Sequence, residues 1–202
     1  MSCLFPALLG YLLGCSNLAY FLAKARGFDI RGRGSNGAGA SNATITMGLK
    51  AGVLVALHDV LKAVLAVLLA SRLFPAAPWA GILAGGCAVL GHMFPFYLKC
   101  RGGKGFASFL GMILALDWRF FLLILLAAVL ITVVTDYIVF ATAATVVTFP
   151  PWLYLVRGNH AAALLAAVSL IILLKHVPNF IRLTRGEEIG LRAALRKKVD
   201  KV

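Results

Sequence analysis

Glycines and cations come together in one stretch between strongly apolar segments, residues 91–111, which reads GHMFPFYLKCRGGKGFASFLG. Its loop holds three glycines and three cations: Gly102, Gly103, Gly105, Lys99, Arg101 and Lys104. Glycine permits positive φ and lets backbone N–H groups approach a ligand closely, while the cations attract an anion. This loop therefore has the chemistry of a phosphate-binding site. The alternative is a connecting loop whose cations mark the cytoplasmic side of a membrane.

The spacing of the loop differs from that of the phosphate-binding loop of soluble kinases and NTPases. That motif needs a glycine five residues before the Gly-Lys pair and a serine or threonine directly after it. Leu98 and Gly105 occupy those two positions. The spacing therefore excludes a kinase or NTPase of that class.

The composition identifies the class of protein that carries this loop. Of the 202 residues, 61% are hydrophobic and only 13% are charged, which predicts a polytopic membrane protein. A net charge of +13 would indicate nucleic-acid binding in a soluble chain. Here the cations flank apolar runs without an aromatic-basic surface, so we expect contact with membrane lipids and no nucleic-acid partner. The four cysteines have no metal-ligand spacing, and no metal is expected.

The apolar runs predict a single all-α integral membrane domain over residues 1–202, with seven transmembrane helices. The predicted spans cover residues 4–22, 51–73, 79–97, 106–116, 120–134, 137–156 and 161–174. Gly10 and Gly14 suit close contact between the first span and another helix. Lys24 and Arg26 end this first run and no cationic region precedes it, so we expect a retained span rather than a cleaved signal peptide.

The distribution of cations predicts the orientation. Most of them lie in residues 24–50, residues 98–105 and the chain after residue 174, whereas only Arg72, Arg119 and Arg157 lie at the opposite ends of the spans. The positive-inside rule then places the N-terminus outside and the C-terminus in the cytoplasm. The three cation-rich segments meet at the cytoplasmic face.

Both of the other cytoplasmic segments contain candidate ligands. Residues 24–50 are rich in glycine, which is typical of a flexible linker, but they also offer short polar side chains at Ser35, Asn36, Ser41, Asn42 and Thr44. In residues 175–188, helical spacing would gather Asn179, Arg182 and Arg185 on one face, where they could bind phosphate. The basic residues 192–201 also fit a helix lying on anionic lipid.

Charged residues also occur inside the second predicted span, where an isolated charge is costly. Asp59 and Lys62 are three residues apart and share a helix face, next to His58. This spacing favours a structural ion pair, and direct participation in chemistry is the alternative.

Two of the three segments carry motifs of a known family. The middle motif runs Gly91-His92-x-Phe94-Pro95-Phe96, followed by Lys99 and residues 102–108, GGKGFAS; the last consists of His176, Asn179, Arg182-Leu183, Gly186 and Glu188. Together they resemble the bacterial acyl-phosphate:glycerol-3-phosphate acyltransferases, the PlsY family of small seven-span enzymes. Weaker similarity extends over the whole chain.

The resemblance implies transfer of an acyl group from acyl phosphate to glycerol 3-phosphate, giving lysophosphatidic acid and phosphate for phospholipid biosynthesis. It implies a monomer without a cofactor in the bacterial inner membrane, with its active site facing the cytoplasm. The implied catalytic residues are Ser35, Lys104, His176 and Asn179. The implied substrate- and phosphate-binding residues are Gly34, Asn42, Gly102, Gly103, Gly105, Arg182 and Glu188.

The first family motif agrees less well with this chain. Ile45 stands where the family has an arginine, and the family's Thr-Arg-Tyr-Val-Ser segment is Thr135-Asp136-Tyr137-Ile138-Val139 here. Loss of one guanidinium would weaken phosphate binding by about 1.5–3 kcal/mol. The alternatives are therefore a diverged or inactive paralogue that has changed its acceptor, and a membrane protein that binds or transports a phosphate or lipid headgroup.

Overall fold

A computed structural model describes residues 3–157 and 159–196, and the basic residues predicted beyond Arg196 lie outside this range. The described residues form ten α-helices: α1 Leu4–Cys15, α2 Leu18–Ala25, α3 Ala40–Met47, α4 Leu49–Leu73, α5 Ala80–Met93, α6 Phe106–Leu116, α7 Trp118–Thr135, α8 Ile138–Arg157, α9 Asn159–Thr184 and α10 Leu191–Arg196. Short 3₁₀ turns lie at Ile30–Gly32 and Phe96–Leu98. The all-α architecture is as predicted.

Six helical segments of the described chain are long and apolar enough to cross a membrane: Leu4–Ala25, Leu49–Leu73, Ala80–Leu98, Trp118–Thr135, Ile138–Val156 and Ala163–Thr184. The first combines α1 and α2, which Ser16 and Asn17 separate. The helix α6, predicted as a further span, has only 11 residues, which correspond to about 16 Å against a hydrocarbon core of about 30 Å. By length, the described residues therefore give six candidate spans.

The helix α6 is short but central. Phe109, Met112 and Ile113 of this helix are fully buried, and they belong to the main hydrophobic core together with side chains of α5, α8 and α9. The Phe109 ring meets the Phe149 ring of α8 edge to face, with centroids 5.8 Å apart. The long helices surround this core and expose leucines on their outer faces, such as Leu57 and Leu61 of α4. An apolar outer surface of this kind suits contact with lipid.

Small residues bring α1 into close contact with another helix, as the sequence predicted, and the structure shows that this helix is α5. A Cβ atom at Gly10 would overlap the carbonyl group of Ala84, and one at Gly14 would overlap that of Ala88. Because the obstacles are backbone atoms, no change of rotamer could relieve either overlap. This contact anchors the first span against the helix that leads into the glycine-rich loop.

We expect Gly14→Ala to destabilise the protein by about 1–3 kcal/mol, because the added methyl group must push the two helix backbones apart. Thermal unfolding in detergent would measure the change. Gly32→Ala is the control, since a Cβ at Gly32 would meet no atom within 4 Å. Equal melting temperatures for the two variants would contradict the close contact of α1 and α5.

Candidate functional site

The glycine-rich loop folds back onto the end of α5. Pro95 starts the turn, and Lys99 and Cys100 adopt left-handed φ angles of 54° and 57°. The chain then returns, so that the Gly102 amide donates to the Met93 carbonyl and the Gly103 amide donates to the His92 carbonyl, both at 3.1 Å. The loop is therefore held by the backbone of the helix that precedes it.

The three glycines of the loop are needed for two different reasons. Gly105 has a φ of 95°, a conformation that side chains disfavour. Gly102 and Gly103 are not among the residues with positive φ, which differs from the sequence prediction. A Cβ at Gly102 would instead overlap the His92 carbonyl, and one at Gly103 would overlap the His92 imidazole. Close packing on His92, rather than φ, requires these two glycines.

Lys104 is the loop cation that enters a polar network with the end of α9. Its Nζ donates to Asn179 Oδ1 at 2.6 Å, and Asn179 Nδ2 donates to Glu188 Oε1 at 2.7 Å. Arg182 Nε donates to the second oxygen of Glu188, also at 2.7 Å. The sequence predicted each of these four residues, and the structure brings them together.

The network leaves positive charge available for an anion. Arg182 Nη2 is buried, and it has no hydrogen-bond partner in the described part of the chain. Burial lowers the pKa of Lys104 to about 8, helped by the nearby Arg182 and opposed by Glu188. Two cations share a single carboxylate, which suits a site that binds a phosphate. The side chains of Lys99, Arg101 and Arg185 are exposed and stand outside this network.

His176 lies one turn before Asn179 on α9 and is 5% exposed. Its Nδ1 is 2.8 Å from the carbonyl oxygen of Ile172. A carbonyl oxygen can only accept a hydrogen bond, so Nδ1 must carry the proton of the neutral ring. His176 Nε2 is then left as an acceptor, which can receive a hydrogen bond from a substrate hydroxyl.

Asn42 organises the first segment, which is ordered rather than a flexible linker. Its Oδ1 accepts from the Ser35 amide at 2.8 Å, and its Nδ2 contacts the carbonyl oxygens of Ile30, Arg33 and Gly37 at 2.7–3.0 Å. Both polar atoms of the Asn42 side chain are therefore hydrogen-bonded to the backbone. These bonds show that Asn42 shapes the loop holding Gly34 and Ser35, and its implied role in substrate binding stays a prediction.

Backbone contacts join this first segment to the glycine-rich loop. The Ala38 amide donates to the Gly102 carbonyl at 3.3 Å, and Asn17 Nδ2 donates to the Ala38 carbonyl at 3.0 Å. Arg31, which the sequence does not predict as a site residue, donates from Nη1 to the Leu98 carbonyl at 2.8 Å. Asp29, two residues earlier, pairs with Arg31 and holds the guanidinium in place. The Asp-x-Arg spacing of Asp29 and Arg31 is the sequence feature that could have indicated this ion pair.

Comparisons with known proteins show the family to which the chain belongs. A family model described as glycerol-3-phosphate acyltransferase matches residues 4–186. Glycerol-3-phosphate acyltransferase 1 of Oceanobacillus iheyensis is 32% identical over 201 residues, which cover 96% of this chain and 97% of that protein.

The chain belongs to the glycerol-3-phosphate acyltransferase family. A crystal structure of PlsY, an integral membrane glycerol 3-phosphate acyltransferase, in its glycerol 3-phosphate form matches with a TM-score of 0.86 at 31% identity, covering 95% of this chain and 96% of that chain. The lysophosphatidic acid form of PlsY matches with a TM-score of 0.84 at 30% identity, covering 98% and 100%. The family member described here is thus an all-helical membrane acyltransferase with the PlsY fold.

We expect Asn42→Asp to loosen the loop formed by residues 30–37, because a carboxylate accepts hydrogen bonds but cannot donate to the three carbonyl oxygens. The Ile30 and Arg33 carbonyls keep a backbone donor, whereas the Gly37 carbonyl loses its bond from Asn42, which costs about 1–3 kcal/mol. Amide hydrogen exchange across residues 30–37 should rise in this variant. Asn36→Asp is the matched control, since Asn36 is exposed. Parental exchange in Asn42→Asp would show that the Asn42 amide does not hold the loop.

Proposed function

We propose that this protein transfers the acyl group of an acyl phosphate to the 1-hydroxyl of glycerol 3-phosphate, giving 1-acyl-glycerol 3-phosphate and phosphate. The main support for this reaction is the polar network beside the glycine-rich loop, formed by Lys104, Asn179, Arg182 and Glu188. It concentrates phosphate-binding groups at one end of an apolar helical bundle. Family relatives named for glycerol 3-phosphate and a neighbour structure in the lysophosphatidic acid form support the same reaction.

The reaction needs positioning and charge stabilisation more than a protein nucleophile. An acyl phosphate is already activated, because phosphate is a good leaving group. The acceptor oxygen forms a bond to the acyl carbon, the bond from that carbon to the phosphate oxygen breaks, and phosphate leaves with the electron pair. The acceptor's proton is transferred to the phosphate. Atoms and charge balance without water or a further reactant.

The site residues divide this work between binding and orientation. Lys104 stabilises the charge that develops on the phosphate, whereas the amides of Gly102 and Gly103 are used in holding the loop on α5. Arg182 Nη2, buried and unpartnered among the described residues, supplies a further donor. His176 Nε2 accepts the hydrogen bond of the acceptor hydroxyl and orients it, and Ser35 orients a substrate oxygen from the neighbouring loop. Asn179 holds the Lys104 ammonium group in position.

Purified protein incubated with acyl phosphate and glycerol 3-phosphate tests the proposal. We expect acylated product and free phosphate in equal amounts. Lys104→Ala and His176→Ala should each lower turnover tenfold or more, which corresponds to about 1.4 kcal/mol in the transition state. Parental turnover in both variants would contradict the assignment of the site. Uptake of a phosphate ester into vesicles without product formation would indicate transport instead.

The alkaline limb of the pH profile should report Lys104. Its pKa of about 8 means that the ammonium charge, and the phosphate binding that depends on it, is present below pH 8 and is lost as the pH rises above it. We expect kcat/KM for the phosphate substrates to fall above about pH 8 by up to tenfold per pH unit. Lys104→Arg should move this limb to higher pH, whereas Lys50→Arg, at an exposed lysine, should not. An unchanged limb in Lys104→Arg would contradict the role of Lys104.

Ile45 lies close to the site, where the family has an arginine. A Cβ at Gly34 would lie 3.2 Å from Ile45 Cγ2, so Ile45 packs beside the loop that carries Ser35. We expect Ile45→Arg to lower the KM for glycerol 3-phosphate, and this gain should shrink as salt screens the new charge. Ile45→Met controls for the loss of the branched side chain. Weaker catalysis in Ile45→Arg would instead indicate an uncharged acceptor at this position, and parental kinetics would show that Ile45 does not face the site.

We further propose seven crossings, with the N-terminus outside and the site at the cytoplasmic face of a bacterial inner membrane. The contacts of α6 support this count: Lys104, just before α6, bonds Asn179, whereas Asp117, just after it, accepts from Trp152 Nε1. The two ends of α6 thus adjoin opposite ends of α8 and α9. Because α6 is short, it would cross inside the bundle rather than in contact with lipid.

Two exposed cysteines can test the orientation, Cys3 at the N-terminus and Cys100 in the glycine-rich loop. In variants that keep only one of them, an impermeant maleimide should label Cys3 in spheroplasts and Cys100 in inverted membrane vesicles. Each variant serves as the control for the other. Labelling of Cys100 in sealed spheroplasts would reverse the proposed orientation.

A further inference from the structure

A buried ionic cluster lies beneath the glycine-rich loop, and the reaction described above does not use it. It consists of Asp59 and Lys62 on α4 and His92 on α5, which are 1%, 5% and 2% exposed. Lys62 Nζ lies 2.8 Å from Asp59 Oδ1, 2.8 Å from His92 Nδ1 and 2.7 Å from the Ser16 carbonyl oxygen. The predicted Asp59–Lys62 ion pair is therefore present, and Lys62 also bonds His92 from another helix.

The hydrogen bonds of Lys62 determine which nitrogen of His92 carries the proton. A lysine ammonium group has three donors and no acceptor, and the structure offers it three acceptors at hydrogen-bonding distance. All three donors are satisfied only if His92 Nδ1 accepts. The proton of the neutral ring is then on Nε2, and the hydrogen bond from Lys62 fixes both the ring orientation and the tautomer. Asp59 Oδ1, 3.3 Å from the same nitrogen, acts by holding the Lys62 ammonium group.

His92 supports the loop through its ring and through its backbone. Its carbonyl oxygen accepts from the Gly103 amide at 3.1 Å. Its ring lies so close to Gly103 that a Cβ there would overlap Nε2 and Cε1. The position of the imidazole therefore sets how closely Gly103, the residue before Lys104, can approach α5.

Net stabilisation does not account for this cluster. Removing charges from water costs several kcal/mol per ion, and well-packed apolar residues often stabilise a protein as much as a buried ion pair does. Asp59 Oδ2 is itself buried without a hydrogen-bond partner among the described residues. Instead, the polar contacts of the cluster hold the His92 ring in one orientation.

We propose that His92 is a positioning residue for acyl transfer, held by the Asp59–Lys62 pair beneath Gly103 so that Lys104, the next residue, is placed to bind phosphate. The kinetic part of this inference rests on the proposed function, whereas the position of the loop can be measured without it.

The test removes both charges at once with the double variant Asp59→Leu/Lys62→Met. The core then stays neutral and close to its original volume, so the protein should keep its melting temperature in detergent within a few degrees. His92 loses the groups that hold it. We expect amide exchange across residues 101–105 to rise tenfold or more, with exchange in α8 unchanged, and KM for at least one phosphate substrate to rise tenfold or more.

The outcomes separate positioning from a purely structural role. A double variant with parental stability, exchange and kinetics would overturn the proposal. If the parent itself forms no acylated product, the proposed function fails, and the exchange of residues 101–105 alone decides the positioning role. Lys62→Met alone should lose stability as well, since it leaves the Asp59 carboxylate buried without its partner.

A second pair of variants tests the contact between His92 and Gly103 in case the charge variants do not fold. Gly103→Ala should lower kcat/KM for the phosphate substrates at least 100-fold, and adding His92→Ser should recover at least tenfold by making room for the methyl group. Gly102→Ala is the matched control, because its Cβ would meet the His92 carbonyl and the Pro95 ring, which His92→Ser leaves in place. Equal recovery at both positions, or recovery at neither, would contradict the proposal.

Discussion

The close approach of Gly102 and Gly103 to the end of α5 is the contact on which the rest of the site depends. Two backbone hydrogen bonds, to Met93 and to His92, fold the loop back onto the helix. No side chain fits at either glycine. The Gly102 carbonyl in turn accepts from Ala38 and so connects the first segment. Backbone hydrogen bonds thus join two segments distant in sequence, and the Lys104 side chain adds the third through Asn179.

This framework explains how charged groups can function at the end of an apolar bundle. Lys104 is half-buried and donates to Asn179, and burial lowers its pKa. Asn179 and Glu188 link it to Arg182, so two cations share one carboxylate. A bound phosphate would add the missing negative charge. In the proposed reaction the site is thus organised for the anion before it arrives, which would lower the cost of reorganisation in the transition state.

The sequence predicted which residues form the polar network, but not the packing contacts that hold the glycine-rich loop in place. Lys104, Asn179, Arg182 and Glu188 follow from charge, spacing and motif, and the structure brings them together. The Asp59–Lys62 pair follows from its i, i+3 spacing and is confirmed at 2.8 Å. The Asp59–Lys62 pair depends on local spacing alone, and the site residues lie in motifs long enough to be specific.

Non-local contacts account for what the sequence did not reveal. Nothing in the sequence around Gly103 shows that it lies against the ring of His92, or that Asn42 bonds four backbone groups of its own loop. The apolar residues of α6 resemble those of a lipid-facing span, yet they form the centre of the core. Composition does not distinguish burial in protein from contact with lipid, because both environments are apolar.

In the proposed reaction the acceptor hydroxyl attacks the acyl carbon while phosphate departs. Glycerol 3-phosphate carrying a heavy oxygen isotope only in its 1-hydroxyl tests this directly by mass spectrometry of the products. We expect the isotope in the ester linkage of 1-acyl-glycerol 3-phosphate and unlabelled released phosphate. Label in the released phosphate, or phosphate release without a labelled ester, would contradict the proposed reaction.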